Sequence, residues 1–249
     1  MLTATRQTEI LRVLQESGEV SVDKLATQFG VSLSTIRRDL NTLSAEGLLR
    51  RVRGGGNIEA DAVPFGDVAV QFEPEKARIA ARAAQLVHDG DVVLLDIGTT
   101  TAQLARHLRG KRITVLTSSL AVVDQLADDD EIELIVLGGV VRRNYRSMVG
   151  ILTEQALSQL RAHICFMGTS GLRRDGYVMD STGIEVPVKR AMIDASERTV
   201  VLADRSKYPG GGLLSVCSAD AIATLITNDD ADPRTLDVFR TAGVEVITA

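Results

Sequence analysis

From residue 75 onward the chain alternates between two kinds of segment. Seven short apolar runs (92–95, 113–116, 134–137, 164–167, 200–203, 224–227 and 244–247) are separated, in most gaps, by stretches of helical period. Those helical stretches are 101–108, 120–127, 152–160, 185–196 and 233–241. Runs this short, mostly apolar and divided by helices, predict an open, mainly parallel α/β sheet.

Such a sheet places its ligand outside the carboxyl ends of its strands. Here those ends read Asp96-Ile97-Gly98-Thr99-Thr100-Thr101, Thr117-Ser118-Ser119, Gly138-Gly139, Gly168-Thr169-Ser170-Gly171 and Asp204-Arg205-Ser206-Lys207. Gly, Ser and Thr offer backbone N–H groups and hydroxyls, and the first loop opens a helix whose N-terminus favours an anion. The expected site for a small oxygen-rich or phosphorylated ligand therefore comprises Asp96, Gly98, Thr99, Thr100, Thr117, Ser118, Gly138, Gly139, Gly168, Asp204 and Lys207, with Lys76 and Lys189 as further cations. Each loop taken singly also reads as an ordinary turn. Neither GxGxxG nor GxxxxGK[ST] occurs, so dinucleotide and P-loop readings are poor.

The first sixty residues have a different grain. A helix following Thr5 buries Ile10, Leu11 and Leu14 and stops at Gly18. Ser21 is a fitting N-cap for a second, which carries Leu25 and Phe29 and ends at Gly30. Ser32 or Ser34 opens a third, with Leu33, Ile36, Leu40 and Leu43 on one face and Ser34, Arg37, Arg38 and Asn41 on the other. Residues 48–52 read as a strand, Gly54, Gly55 and Gly56 as a turn, and Asn57-Ile58 as the start of a return strand.

Helix, tight turn, helix and a glycine-tipped hairpin make a winged helix-turn-helix pattern. Its expected DNA-binding residues are Ser32, Ser34, Thr35, Arg37, Arg38 and Asn41 on the third helix, and Arg50, Arg51, Arg53, Gly54 and Gly55 on the wing. Arginine grips guanine edges bidentately and asparagine does the same for adenine. A solvated amphipathic helix with a flexible linker is the plainer alternative. Asp39, on the flank of the apolar face, is expected to pair locally rather than read a base. Residues 61–74, with two prolines, a glycine and scattered acids, read as a linker.

The formal net charge is −5, so a polyanion must be held by a local basic patch rather than by overall charge. The first fifteen residues are amphipathic and unlike a signal peptide, and no apolar run suffices to span a bilayer, so a cytoplasmic protein is expected. Cys165 and Cys217, alone in apolar segments, read as buried thiols, and His88, His107 and His163 lack metal-ligand spacing. No metal, cofactor or catalytic group is expected.

The chain resembles the DeoR family of bacterial transcriptional regulators over nearly its whole length. The N-terminal resemblance is carried by "RQTEILRVLQESGEVSVDKLATQFGVSLSTIRRDLNTLSAEGLLRRVRGG". The C-terminal one is carried by "DIGTTTAQLARHL", "TVLTSSLAVVDQLA", "LIVLGGVVR", "MVG", "VPVKRAMIDASERTVVLADRSKY" and "ITND". The resemblance implies a repressor that binds double-stranded operator DNA and releases it when a phosphorylated sugar occupies the sensor domain. It also implies a sensor fold shared with ribose-5-phosphate isomerase and CoA transferases. Arg53 stands where the family often has His, and Tyr208 to Leu214 ("YPGGGLL") form an unusual glycine-rich loop.

The expected organisation is thus a winged helix-turn-helix domain over residues 1–60, a linker over 61–74, and an effector-sensing and oligomerising α/β domain over 75–249. The expected partners are operator DNA, a sugar phosphate and further copies of the chain, as a dimer or tetramer, with no membrane. The alternative is a phosphosugar isomerase carrying a DNA-binding appendage, with Glu185 or Asp180 as its base. It is weakened by the loop Gly168-Thr169-Ser170-Gly171, which holds no carboxylate where the resembled isomerases carry an acidic cluster.

Overall fold

Helix α1 (Val22–Phe29) begins where the sequence calls for it. The Ser21 side chain accepts a hydrogen bond from the Lys24 N–H at 3.2 Å, and Gly30 ends the helix in the left-handed region at φ 63°. The computed structural model describes residues 6, 7, 9, 10, 13, 19–45, 50–52, 55–57, 64–212 and 214–249. They fall into two units, Met1–Val63 and Pro64–Ala249.

In the first unit, helix α2 (Leu33–Ala45) follows α1 after the Gly30 turn. Ile10 and Val13, in helical backbone near the start of the chain, pack with Val20, Val22, Leu25, Ala26, Ile36, Leu40 and Leu43 in one small core. Leu11 and Leu14, expected in that core, and Gly18 lie outside the described residues. Leu33 departs from the expected face and is 40% exposed, because the turn after Gly30 brings Val31 against the core instead.

Three short strands complete the unit: β1 (Glu19–Ser21), β2 (Arg50–Val52) and β3 (Gly55–Asn57), antiparallel in the order β1-β3-β2. Gly55 and Gly56 were expected in the turn. They belong instead to β3, opposite Val52 and Arg51; Arg53 and Gly54 lie outside the described residues. Strand β1 had no counterpart in the sequence reading.

The second unit holds a seven-stranded parallel sheet. Its strands are β4 (Val92–Leu95), β5 (Thr114–Thr117), β6 (Glu133–Val136), β9 (Ala162–Gly168), β12 (Ser196–Leu202), β14 (Thr224–Thr227) and β15 (Glu245–Thr248), in the order β15-β14-β12-β9-β4-β5-β6. All seven predicted runs are there, shifted by a few residues at most. Successive side chains point to opposite faces. Val93, Leu95, Ile164, Phe166, Val200 and Leu202 enter one core, while Leu94, Cys165, Met167 and Val201 enter the other.

The first core is covered by α4 (Glu73–Ala84), α5 (Thr99–Leu108) and α6 (Leu120–Leu126). The second is covered by α7 (Ile151–Ser158), α8 (Val186–Asp194) and α9 (Pro233–Thr241). Helix α9 is capped by Asp232, whose carboxylate accepts the Thr235 N–H at 3.1 Å.

Residues 64–74 differ from the expected linker. Helix α3 (Phe65–Val70) occupies most of them, with Phe65 buried, and α4 starts at Glu73. Two further features had no counterpart in the sequence reading. One is the hairpin of β7 (Val140–Arg142) and β8 (Ser147–Val149); the other is a small antiparallel sheet of β10 (Gly171–Leu172), β11 (Tyr177–Asp180) and β13 (Leu214–Ser218). Beside β10 the glycine-rich loop passes so close that Gly171 and Gly210 leave no room for each other's Cβ, and the Gly210 N–H donates to Leu172 O at 2.8 Å.

Candidate functional site

The polar face of α2 is open to solvent. Ser32, Ser34, Arg37, Arg38 and Asn41 are exposed and Thr35 is half-buried. Ser32 is the residue that opens the helix: its hydroxyl accepts the Thr35 N–H at 3.2 Å and lies 2.8 Å from the hydroxyls of both Ser34 and Thr35. Asp39 does not pair locally. It is buried against Arg6, whose guanidinium donates to both carboxylate oxygens at 2.6 and 3.2 Å across 33 residues. That hydrogen bonding raises the Arg6 pKa and keeps a carboxylate off the exposed face. Arg50, Arg51 and Gly55 lie in the β2–β3 ribbon after α2; Arg53 and Gly54 lie outside the described residues.

In the second unit the sheet register gathers the strand ends. Leu95 pairs with Phe166, and Leu202 with Gly168, so Asp96 follows β4 directly beside the end of β9. Asp96 is 1% exposed and accepts the Gly168 N–H at 2.9 Å. The Lys189 ammonium, from α8, donates to the same carboxylate and to Gly168 O at 3.0 Å, and lies 3.7 Å from Asp180. Burial pushes that ammonium down in pKa, but the carboxylates of Asp96 and Asp180 outweigh it and hold it charged. Lys189 and Asp96 thus meet each other, in a closed cluster that pins α8 to the ends of β4 and β9.

Gly98 precedes α5, and the Thr101 hydroxyl closes the turn by donating to the carbonyls of Asp96 and Gly98, both at 2.7 Å. Thr99 and Thr100, in the first turn of α5, are buried. Thr117 donates to Leu95 O at 2.8 Å and accepts the Ser119 N–H at 3.0 Å, which shapes the end of β5. Beside it the Ser118 and Ser147 hydroxyls are both fully buried, and neither has a hydrogen-bond partner among the described residues. Ser119 bridges to Ser147, and the Met148 N–H donates to Ser118 O at 2.8 Å, so the β7–β8 hairpin lies against this loop. Gly138 accepts the Thr153 hydroxyl at 2.8 Å, and Gly139 sits against Val149 and Thr153 where a Cβ would clash; both lead into the hairpin.

At the end of β12, Asp204 is buried and accepts the N–H and hydroxyl of Ser206, closing the turn that carries Lys207. Lys207 is half-buried. Lys76, from α4, is only 2% exposed, and its ammonium donates to Val68 O at 2.6 Å. Desolvation lowers its pKa to about 8, opposed by Asp204 and Glu73 and assisted by Lys207. Lys76, Asp204 and Lys207 therefore form one electrostatic group, distinct from the Lys189 cluster.

Sequence reasoning missed Ser147, Arg142 and the partnering of Asp180 and Glu185. Arg142 pairs with the buried Glu185 and lies over the Tyr145 ring at 5.5 Å. Asp180 and Glu185, the bases considered for an isomerase, are thus each engaged by a cation. No signal within a window of sequence links positions 43 residues apart. Among the described residues no group of His, Cys, Asp or Glu is placed to hold a metal ion, and no helix is long and apolar enough to cross a membrane. Cys165 is buried in the core, which raises its thiol pKa; Cys217 is half-buried and its thiol is pushed up to about 11.

An exposed basic helix held by a small core, joined to a parallel sheet whose strand ends gather hydroxyls, glycines and buried lysines, defines a DNA-binding regulator with a sensor unit. The family models agree. Residues 6–60 match the DeoR-like helix-turn-helix domain and residues 71–229 the DeoR C terminal sensor domain. The chain belongs to the DeoR family of transcriptional regulators, and it is a regulator rather than an enzyme.

It is 31% identical over 250 residues to the HTH-type transcriptional regulator GolR of Listeria innocua, covering 99% of this chain and 98% of that one. It is 32% identical over 227 residues to the HTH-type transcriptional regulator IolR of Bacillus subtilis, covering 90% of each. With the glycerol-3-phosphate regulon repressor of Escherichia coli it shares 30% identity over 236 residues, covering 94% and 93%. A structure of ribose 5-phosphate isomerase A from Methanocaldococcus jannaschii aligns with 55% of this chain and 54% of its own, at a TM-score of 0.41 and 21% identity.

Proposed function

We propose that the protein represses a sugar-catabolic operon and leaves its operator when a phosphorylated sugar occupies the strand-end site. The observation that carries this reading is Lys76. A buried ammonium whose hydrogen-bond acceptor is a neutral carbonyl is incompletely compensated, and a phosphate dianion compensates it best. Gly98, Thr99 and Thr100 at the start of α5 add N–H donors. The Ser118 hydroxyl, buried without a partner, suits a ligand oxygen, and Asp204 with Lys207 divides sugar hydroxyl and phosphate between them. The Escherichia coli relative, named for glycerol 3-phosphate, supports a phosphorylated effector.

On the DNA side, Arg37, Arg38 and Asn41 enter the major groove while Arg50, Arg51 and Arg53 lie along phosphates. One helix and one wing bury too little surface for tight specific binding, so at least two copies act together. Exposed Val136, Val140, Val141, Ile151 and Leu152 support self-association through the sensor unit. The test is a thermal-shift panel of sugar phosphates and their unphosphorylated parents, followed by gel shifts on DNA upstream of the genes beside this one. At least one phosphate is expected to stabilise the protein and release the DNA. Stabilisation by the parent sugars alone would overturn the phosphate reading.

A further inference from the structure

Helix α3 has six residues, too few to hold together by its own hydrogen bonds, and Pro64 before it supplies no side-chain cap. Its position is set from outside, by the turn of the β7–β8 hairpin at one end and by Lys76 of α4 at the other. At its first residue, the Phe65 N–H donates to Asn144 O at 2.8 Å, and the Phe65 ring meets the edge of Tyr145 with centroids 6.0 Å apart at 86°. Asn144 and Tyr145 lie in the turn of the β7–β8 hairpin, and Arg142, from the same hairpin, reaches Glu185 at the start of α8. In its last turn, Val68 O takes the Lys76 ammonium.

Just beyond α3, Phe72 adopts φ 54°, ψ 34°, the left-handed region that a bulky L residue avoids, and its ring lies 5.2 Å under the Arg205 guanidinium. Arg205 belongs to the turn capped by Asp204. Before α3 the chain runs directly into the DNA-binding unit, which ends at Val63.

We propose that α3 is a latch closed by the bond from Lys76 to the Val68 carbonyl, and that an anion in the strand-end site opens it by taking the Lys76 ammonium for itself. This rests on the phosphate reading of the site and adds to it the route to the DNA-binding unit. A phosphate offers the ammonium an opposite charge that a neutral carbonyl lacks, so the two acceptors do not hold it equally. When Lys76 turns to the anion, the last turn of α3 loses its tertiary acceptor bond. Phe72 then has less to hold it in an unfavourable conformation, and a helix too short to persist alone is freed beside the junction of the units.

The test is hydrogen–deuterium exchange on the full chain, reading the amides of residues 64–72 against those of β4 as a control for folding. Without any added anion, Lys76→Met is expected to speed exchange at 64–72 by roughly tenfold while leaving β4 protected, since a bond to a charged donor is lost. Exchange at wild-type rate in that variant overturns the latch. If β4 protection is lost as well, Tyr145→Leu replaces it, removing the ring edge from Phe65. Faster exchange at residues 64–68 then supports an externally anchored α3, and an unchanged rate overturns it.

In the second arm, inorganic phosphate is added to the wild type. Protection of residues 98–101 with faster exchange at 64–72 is the expected result. Protection at 98–101 with 64–72 unchanged overturns the latch and leaves the anion site standing. No change at either place overturns the anion trigger, while the lysine variant still reports whether the bond holds α3.

Discussion

The two units bury charge in opposite ways. In the DNA-binding unit the buried pair is closed: Arg6 and Asp39 meet bidentately, and the arginines expected to work lie outside on α2. In the sensor unit two lysines are buried within one strand-end region and differ in what they meet. Lys189 faces two carboxylates, while Lys76 donates to a carbonyl. A buried cation matched by carboxylates is part of the framework. One matched by a neutral oxygen keeps capacity for a ligand, at a cost in stability.

The largest effect should come from breaking the matched clusters. Lys189→Met leaves Asp96 and Asp180 facing each other without their cation, and about 5 kcal/mol of stability should be lost in urea denaturation. Arg6→Met strands one carboxylate and should cost about 3 kcal/mol, confined to the first unit. A Lys189→Met protein as stable as wild type would erase the distinction between the two lysines.

Lys76, which donates to a carbonyl rather than to a carboxylate, should appear in the pH dependence. Its folded pKa of about 8 lies below the usual lysine value of 10.5, so between these the unfolded chain binds more protons. Stability from this group therefore rises as pH increases from about 8 to 10.5, by up to about 3 kcal/mol, and is flat below pH 8. The other charges facing it are Asp204, Glu73 and Lys207. Subtracting the Lys76→Met profile isolates the rise; identical profiles would show that Lys76 is solvated.

On the DNA-binding side, Arg38→Ala is expected to lose about 1–3 kcal/mol of operator affinity and little affinity for random DNA. Arg51→Ala should weaken both alike and reduce the salt slope by about 1. Gel shifts at several salt concentrations separate the two. If neither variant changes binding, the basic face is only solvated.

The smallest effect sharpens the comparison. Ser118→Ala removes a buried hydroxyl that has no partner, so the apo protein should be unchanged or stabilised by up to about 1 kcal/mol, while its thermal response to phosphates shrinks. A destabilised apo variant would mean that the hydroxyl already has a partner in solution.

Much of the fold was legible from the chain. The seven sheet strands were readable because each contains a mostly apolar run, and α1 because Ser21 and Gly30 mark its ends. Helix α3 was not, because Pro64 and Gly66 made its segment look like a linker, while its contacts with Tyr145 and Lys76 are made only in the fold. The β7–β8 hairpin, three residues a side, is too short for a period to show. Leu33 obeyed the helical period and still faced solvent, because Val31 took its place against the core.

The sequence by itself determined the elements that pattern and caps specify, and the loops that follow the sheet strands. These depend on spacings of two, three and four residues, which a window contains. Tertiary structure alone decided which charges meet. Lys189 finds Asp96 across 93 residues and Arg6 finds Asp39 across 33, while Lys76 finds a carbonyl only eight residues away. Burial then sets what each lysine can do: the same ammonium is a fixed strut beside two carboxylates and a receptive group beside a carbonyl, because in a poorly solvated site its charge is balanced only by the groups that the fold brings to it.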